Sequence, residues 1–115
     1  MELFVLEGPD TGRSFPLAAE SVIGRDPTAT VHLTDEEVSR RHALVSIGEG
    51  QASVEDLGSS NGTYVDEVLV EGDAALQPGS KLRIGSTVLE YRRLPGSEDP
   101  ENLRATKTSL EPPPL

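Results

Sequence analysis

Asp56-Leu57-Gly58-Ser59-Ser60-Asn61-Gly62-Thr63-Tyr64-Val65-Asp66 places two serines, an asparagine and two glycines between segments that alternate like β-strands. Asn61-Gly62 is a strong turn dipeptide, since glycine accepts positive φ without steric cost and asparagine tolerates it. A tight hairpin needs only that pair. Gly58-Ser59-Ser60 widens the connection into a loop rich in hydroxyls and backbone N–H groups, with one side-chain amide. A loop of that make-up suits a polar ligand.

N-terminal to this loop, 42–47 and 52–56 read as strands joined by the turn Gly48-Glu49-Gly50. C-terminal to it, 63–65 and 68–70 flank Asp66-Glu67, a connection without glycine and therefore a weak hairpin signal. Gln77-Pro78-Gly79-Ser80 leads into 81–84, and Gly85-Ser86 separates that strand from 87–92, where Val88, Glu90 and Arg92 alternate with Leu89 and Tyr91. Nearer the start, 3–6 is apolar and Gly8-Pro9-Asp10-Thr11-Gly12 is a turn cluster. Residues 13–17 alternate, and Pro16 assigns them to an edge. Short extended pieces at 21–23 and 31–33 precede the polar breaks Gly24-Arg25-Asp26-Pro27 and 34–41. No window of helical length carries a 3.6-residue period, so 18–22 and 33–38 supply a helical turn at most. About ten short strands punctuated by Gly, Pro, Asn and Asp predict an all-β sandwich of two packed sheets. Pattern alone leaves a small barrel open.

The 115 residues suffice for one domain with a real core. Without cysteine there is no disulfide framework, thiolate metal site or thiol nucleophile. Residues 1–7 lack the basic region and the apolar length of a signal peptide, and no stretch approaches the length of a membrane span. A cytoplasmic location is expected. A formal charge of −10 disfavours nucleic acid and anionic membranes as partners, and 3% aromatic residues leave no stacking platform for single strands. Residues 1–94 hold 16 acidic and 8 basic side chains, yet Arg25, Arg40 and Arg41 sit in polar loops beside Gly, Ser and His. Scarce but clustered arginines suggest a local anion site; a surface salt bridge to Asp26 or Asp56 is the plainer use of Arg25. Beyond residue 94 the composition shifts: 95–115 contains five of the nine prolines and few apolar residues, as expected of a disordered tail or linker.

Loops of a sandwich collect at its two ends, so Gly24-Arg25-Asp26-Pro27, Ser39-Arg40-Arg41-His42 and 58–63 can meet. Together they would offer guanidinium forks, hydroxyls, N–H groups and an amide, a set matched to phosphate and to a peptide backbone. Four motifs carry a family resemblance: Ile23-Gly24-Arg25, Ser39-Arg40-Arg41-His42, Asp56-Leu57-Gly58-Ser59-Ser60-Asn61-Gly62-Thr63, and Leu76-Gln77-Pro78-Gly79-Ser80-Lys81-Leu82-Arg83-Ile84-Gly85. In order and spacing they resemble the forkhead-associated (FHA) domain, over residues 2 to about 94.

The resemblance implies a two-sheet β-sandwich of about eleven mostly antiparallel strands, binding phosphothreonine peptides through loops at one end. By position, Arg25 and Ser39 match the family's phosphate-binding residues, with Arg40 a further phosphate contact. Ser60 matches a hydroxyl beside the phosphate and Asn61 the residue that bonds the peptide main chain. Gly24, His42, Gly58, Gly62 and Thr63 match supports of the loops. The implied role is a phosphothreonine-dependent, non-enzymatic interaction module in Ser/Thr kinase signalling, monomeric as a domain and without cofactor or metal. Alternatives are a phosphate-independent docking module, or one switched by phosphorylation of its own tail at Thr106 or Thr108. A hydrolase using Ser39 and His42 lacks an orienting third group and a nucleophile elbow. A metal site fails because only His32 accompanies His42. Glu36 and Glu37 precede Ser39, so an acidic residue three places after the phosphothreonine is expected to be disfavoured.

Overall fold

Period-two alternation of Val, Leu and Ile gives each strand one face to bury, and two such faces close on each other. The computed structural model describes residues 1–93; the 95–115 tail, with Thr106 and Thr108, lies outside the described residues. Eleven strands follow in order: β1 (Glu2–Glu7), β2 (Ser14–Pro16), β3 (Glu20–Gly24), β4 (Val31–His32), β5 (Ala43–Gly48), β6 (Gln51–Asp56), β7 (Thr63–Val65), β8 (Val68–Leu69), β9 (Asp73–Leu76), β10 (Lys81–Ile84) and β11 (Thr87–Arg92). One sheet has the order β2-β1-β11-β10-β7-β8 and the other β4-β3-β5-β6-β9. All pairings are antiparallel except β3 with β4. Among the described residues there is no helix, and none long and apolar enough to cross a membrane.

The core between the sheets contains Leu3, Val5, Ile23, Val31, Val45, Val54, Leu82, Ile84 and Leu89, all fully buried. On β11 the alternation is complete: Thr87, Leu89 and Tyr91 are buried, whereas Val88, Glu90 and Arg92 are half-buried on the other face. Pro16 falls in the edge strand β2, where a missing N–H costs least.

Two elements depart from the sequence pattern. Asp66 and Glu67 turn the β7–β8 hairpin with φ of 48° and 73°, although neither is glycine. Strand β9 was not marked by its Ala-Ala sequence; it is held by pairing along β6, from Ala52↔Leu76 to Glu55↔Asp73. The segment 33–38 is irregular, with a turn at 36–37 and no helix.

Register places the ligand loops. Ile23 of β3 pairs with Ala43 of β5, and Ala43 pairs with Asp56 of β6. One row of the second sheet therefore ends three strands side by side. The loops after β3, before β5 and after β6 leave from that row.

Candidate functional site: three loops at one end of the sandwich

Gly24 is where the first two loops touch. A β-carbon there would lie 1.9 Å from the Arg40 carbonyl oxygen and 2.7 Å from its carbon. Only glycine allows the 39–41 backbone to run this close. The approach is a short ladder: the Arg25 N–H donates to the Ser39 carbonyl (3.0 Å), the Asp26 N–H to the Arg40 carbonyl (3.1 Å) and the His42 N–H to the Ile23 carbonyl (2.8 Å). Arg25 Nε donates to the Val38 carbonyl at 2.8 Å, which fixes the guanidinium plane and leaves its two terminal nitrogens to point elsewhere. Among the described residues no carboxylate pairs with Arg25, so the salt bridge to Asp26 or Asp56 is not formed. Asp26 instead faces Arg40 at 3.7 Å. The Thr28 N–H and hydroxyl hold the Asp26 carboxyl below its usual range, and Arg40 and Arg41 nearby act in the same direction.

The second loop is pinned from below by Asp35, which is buried and accepts from the Glu37 N–H (2.9 Å), the Ser86 N–H (2.8 Å) and the Thr87 hydroxyl (2.9 Å). A buried carboxylate fully used by three donors is a rigid anchor. His42, also fully buried, ties this loop to the third. Its Nδ1 accepts from the Ser39 N–H at 3.0 Å, so Nε2 carries the ring proton and donates to the Gly62 carbonyl at 2.9 Å. Both ring nitrogens are spent on backbone. The Ser39 hydroxyl bonds elsewhere, accepting from the Ser60 N–H at 3.1 Å, so the serine–histidine pair of a hydrolase is not made.

Asp56 shapes the third loop. Its carboxylate accepts from the Gly58 N–H (3.0 Å), the Ser59 N–H (3.1 Å), the Ser59 hydroxyl (2.6 Å) and the buried Thr63 hydroxyl (2.7 Å). Burial pushes this carboxyl upward, but the bonds from Ser59, Thr63 and Gly58 outweigh it and hold it below the ordinary carboxylate value. The Ser59 oxygen then accepts from the Gly62 N–H at 2.9 Å, closing the turn, and Gly62 takes φ +84°. Asn61 reaches across to the second loop, its Nδ2 donating to the Glu37 carbonyl at 2.7 Å.

All ten residues singled out from the sequence thus fall at one end. Arg25, Arg40, Ser60 and Asn61 are exposed, Ser39 is half-buried, and Gly24, His42 and Thr63 are buried beneath them. Sequence reasoning did not find Asp35, Ser59 or the Glu37 carbonyl as loop braces. Asp35 and Glu37 act across 51 and 24 residues respectively, which no local pattern reports. A cleft of about 420 Å³, lined by Ile47, Ala52, Leu76 and Tyr91 among others, opens at the opposite end near the β5–β6 turn. The convergent polar groups lie on an open rim. Such a rim fits an extended chain rather than an enclosed small molecule. Among the described residues no His, Cys, Asp and Glu cluster could hold a metal.

This fold and this set of loops define an FHA domain, and the chain belongs to that family. Its residues 4–93 match the family model described as the cytoplasmic domain of an inner-membrane component of the type III secretion system, an FHA-type domain. It is 43% identical over 91 residues to the FHA domain-containing protein FhaB of Mycobacterium tuberculosis, covering 78% of this chain and 59% of that protein. The chain therefore spans about three-fifths of the length of that curated relative. Among solved structures, one described as phosphothreonine-dependent FHA domain interactions superposes with a TM-score of 0.73 at 33% identity, covering 82% of this chain and 96% of that one. The FhaA FHA domain, solved with the intracellular domain of another protein, gives 0.70 at 32% identity, covering 77% and 96%.

Proposed function

We propose that this chain is a phosphothreonine-dependent interaction module that recognises proteins phosphorylated by a Ser/Thr kinase. One observation carries the reading: the Arg25–Ser39 and Ser60–Ser39 hydrogen bonds lock the three loops together with a guanidinium, two hydroxyls and the Asn61 amide along one exposed rim. Arg25 and Arg40 supply the positive charge, Ser39 and Ser60 the hydroxyls, and Asn61 the bond to the peptide main chain. Gly24, His42, Gly58, Gly62 and Thr63 hold the loops in register. The described phosphothreonine dependence of the similar FHA structure supports the same chemistry here.

A phosphothreonine brings roughly −1.5 to −2 charges at neutral pH. The chain's net charge of −10 gives no long-range attraction, so affinity rests on short charge-assisted bonds of about 1.5–3 kcal/mol each. A few such bonds reach micromolar binding, near −8 kcal/mol, after the costs of association. The module is non-enzymatic, cytoplasmic and monomeric as a domain bounded at about residue 94. An oriented phosphothreonine peptide library, read beside its unphosphorylated twin, tests the reading. Selection only from the phosphorylated library supports it; equal selection from both would establish phosphate-independent docking instead.

A further inference from the structure

The chain has two asparagines, and Asn61 alone is followed by glycine. That pairing has a chemistry of its own. If the Gly62 amide nitrogen loses its proton to base, it can attack Cγ of Asn61. A C–N bond forms, the C–Nδ2 bond breaks, and ammonia leaves a five-membered succinimide. Water opens the ring to aspartate or isoaspartate, so one water is consumed, one ammonia is released and nothing is oxidised. A following glycine leaves the attacking nitrogen unshielded, which is part of why asparagine is thermally labile.

In this fold both reacting groups are already engaged. The Gly62 N–H donates to the Ser59 hydroxyl oxygen at 2.9 Å, and the Asn61 amide donates to the Glu37 carbonyl at 2.7 Å. Ser59 is itself fixed by two hydrogen bonds to the Asp56 carboxylate, from its N–H and from its hydroxyl. Asn61 is nonetheless exposed, so water and base reach it once those bonds open. We propose that Asn61-Gly62 is a deamidation site held shut by Ser59 and the Glu37 carbonyl, whose reaction silences the ligand loops. The second half rests on the phosphopeptide reading above. Conversion replaces the Nδ2 donor by an acceptor-only carboxylate. It sets a negative charge against the Glu37 carbonyl and beside an arriving phosphate. The isoaspartate product also adds a backbone carbon within the turn that the Ser59–Gly62 bond closes. A bound peptide, by occupying the Asn61 amide, slows the reaction.

The test is ageing of the 115-residue protein in mildly alkaline buffer, with peptide mass mapping that resolves aspartate from isoaspartate at position 61. The free peptide 56–66 is the unprotected reference. The folded protein reacts at least about tenfold more slowly than the peptide, the factor for one opened hydrogen bond of ~1.4 kcal/mol. Ser59→Ala moves the rate toward that of the peptide, whereas Ser59→Thr, which keeps the hydroxyl, stays near the native rate. A native protein that reacts as fast as the peptide, or a Ser59→Thr rate equal to that of Ser59→Ala, overturns the proposal. So does an aged protein, or the direct variant Asn61→Asp, that captures an immobilised degenerate phosphothreonine library as well as fresh protein does. The rate arms involve no ligand. Failure of fresh protein to capture that library would instead overturn the functional reading beneath.

Discussion

Gly24→Ala probes the arrangement on which the whole site depends. The new β-carbon would stand 1.9 Å from the Arg40 carbonyl oxygen, an atom of the main chain that no side-chain rotation can move aside. To reach the shortest contacts found in packed interiors, the 39–41 backbone must retreat by about 1 Å. Overpacking of this kind costs about 1–3 kcal/mol. The retreat also stretches the bonds from the Arg25 N–H to the Ser39 carbonyl and from the Asp26 N–H to the Arg40 carbonyl, now 3.0 and 3.1 Å. Each is worth about 1 kcal/mol. With both bonds lost the expected destabilisation is therefore about 3–5 kcal/mol, a fall in Tm of roughly 10 °C or more for a domain of this size. Phosphothreonine-peptide affinity is expected to fall further than stability does, because the retreat carries the Ser39–Arg40 backbone away from the Arg25 backbone to which it is bonded. Gly48→Ala is the control: its φ is not positive and its β-carbon would meet nothing nearer than the Gln51 oxygen at 4.0 Å. It should change stability by no more than about 0.5 kcal/mol. Urea or thermal unfolding by circular dichroism, with peptide titration by fluorescence anisotropy, reads both quantities. If Gly24→Ala melts and binds like the native protein, the close approach of the two loops is not what sets the site.

Asp56→Ala orphans the buried Thr63 hydroxyl and frees Ser59, and is expected to cost about 1–3 kcal/mol and to weaken peptide binding, as read by urea unfolding and anisotropy. Because the native Asp56 carboxyl is held below its ordinary value, its contribution is present above an unfolded pKa of about 3.9 and is lost as pH falls through the lower folded value. Unfolding curves from neutral to acid pH should therefore show a decline that is smaller in Asp56→Ala. Phosphoserine peptides should bind several-fold more weakly than phosphothreonine ones in parallel titrations, since one methyl is worth on the order of 1 kcal/mol. Glu37 lies beside Asn61 and bonds the Ser86 hydroxyl at 3.0 Å; a peptide array should disfavour acidic residues three places after the phosphothreonine, and Glu37→Gln should relax that bias.

The parts of the fold visible in the sequence were those written in local chemistry. Alternation marked β5, β6, β10 and β11, and Gly/Pro/Asn clusters marked their turns. Strand β9 escaped because alanines carry little β signal, and its place comes from pairing with β6. The Asp66-Glu67 hairpin was a weak signal for a similar reason: its positive φ values come from non-glycine residues constrained by strands on both sides. At the site, the family resemblance carried by the four motifs singled out Arg25, Ser39, His42 and Asn61. What stayed hidden was the bracing. Asp35 holds Ser86 and Thr87 some fifty residues away, the Glu37 carbonyl holds Asn61, and Ser59 closes its loop through the Gly62 N–H. Such contacts depend on register between strands distant in the chain, and only the assembled sandwich reports them.

Isothermal titration of a library-selected phosphothreonine peptide, against the native protein and Arg25→Ala, tests the central claim most directly. The account predicts micromolar binding of the phosphorylated peptide alone. It also predicts no detectable heat with Arg25→Ala, whose melting should stay native because Arg25 is exposed and lends the fold one side-chain bond to the Val38 carbonyl. Equal affinity for the unphosphorylated peptide, or native affinity in a folded Arg25→Ala protein, would contradict it.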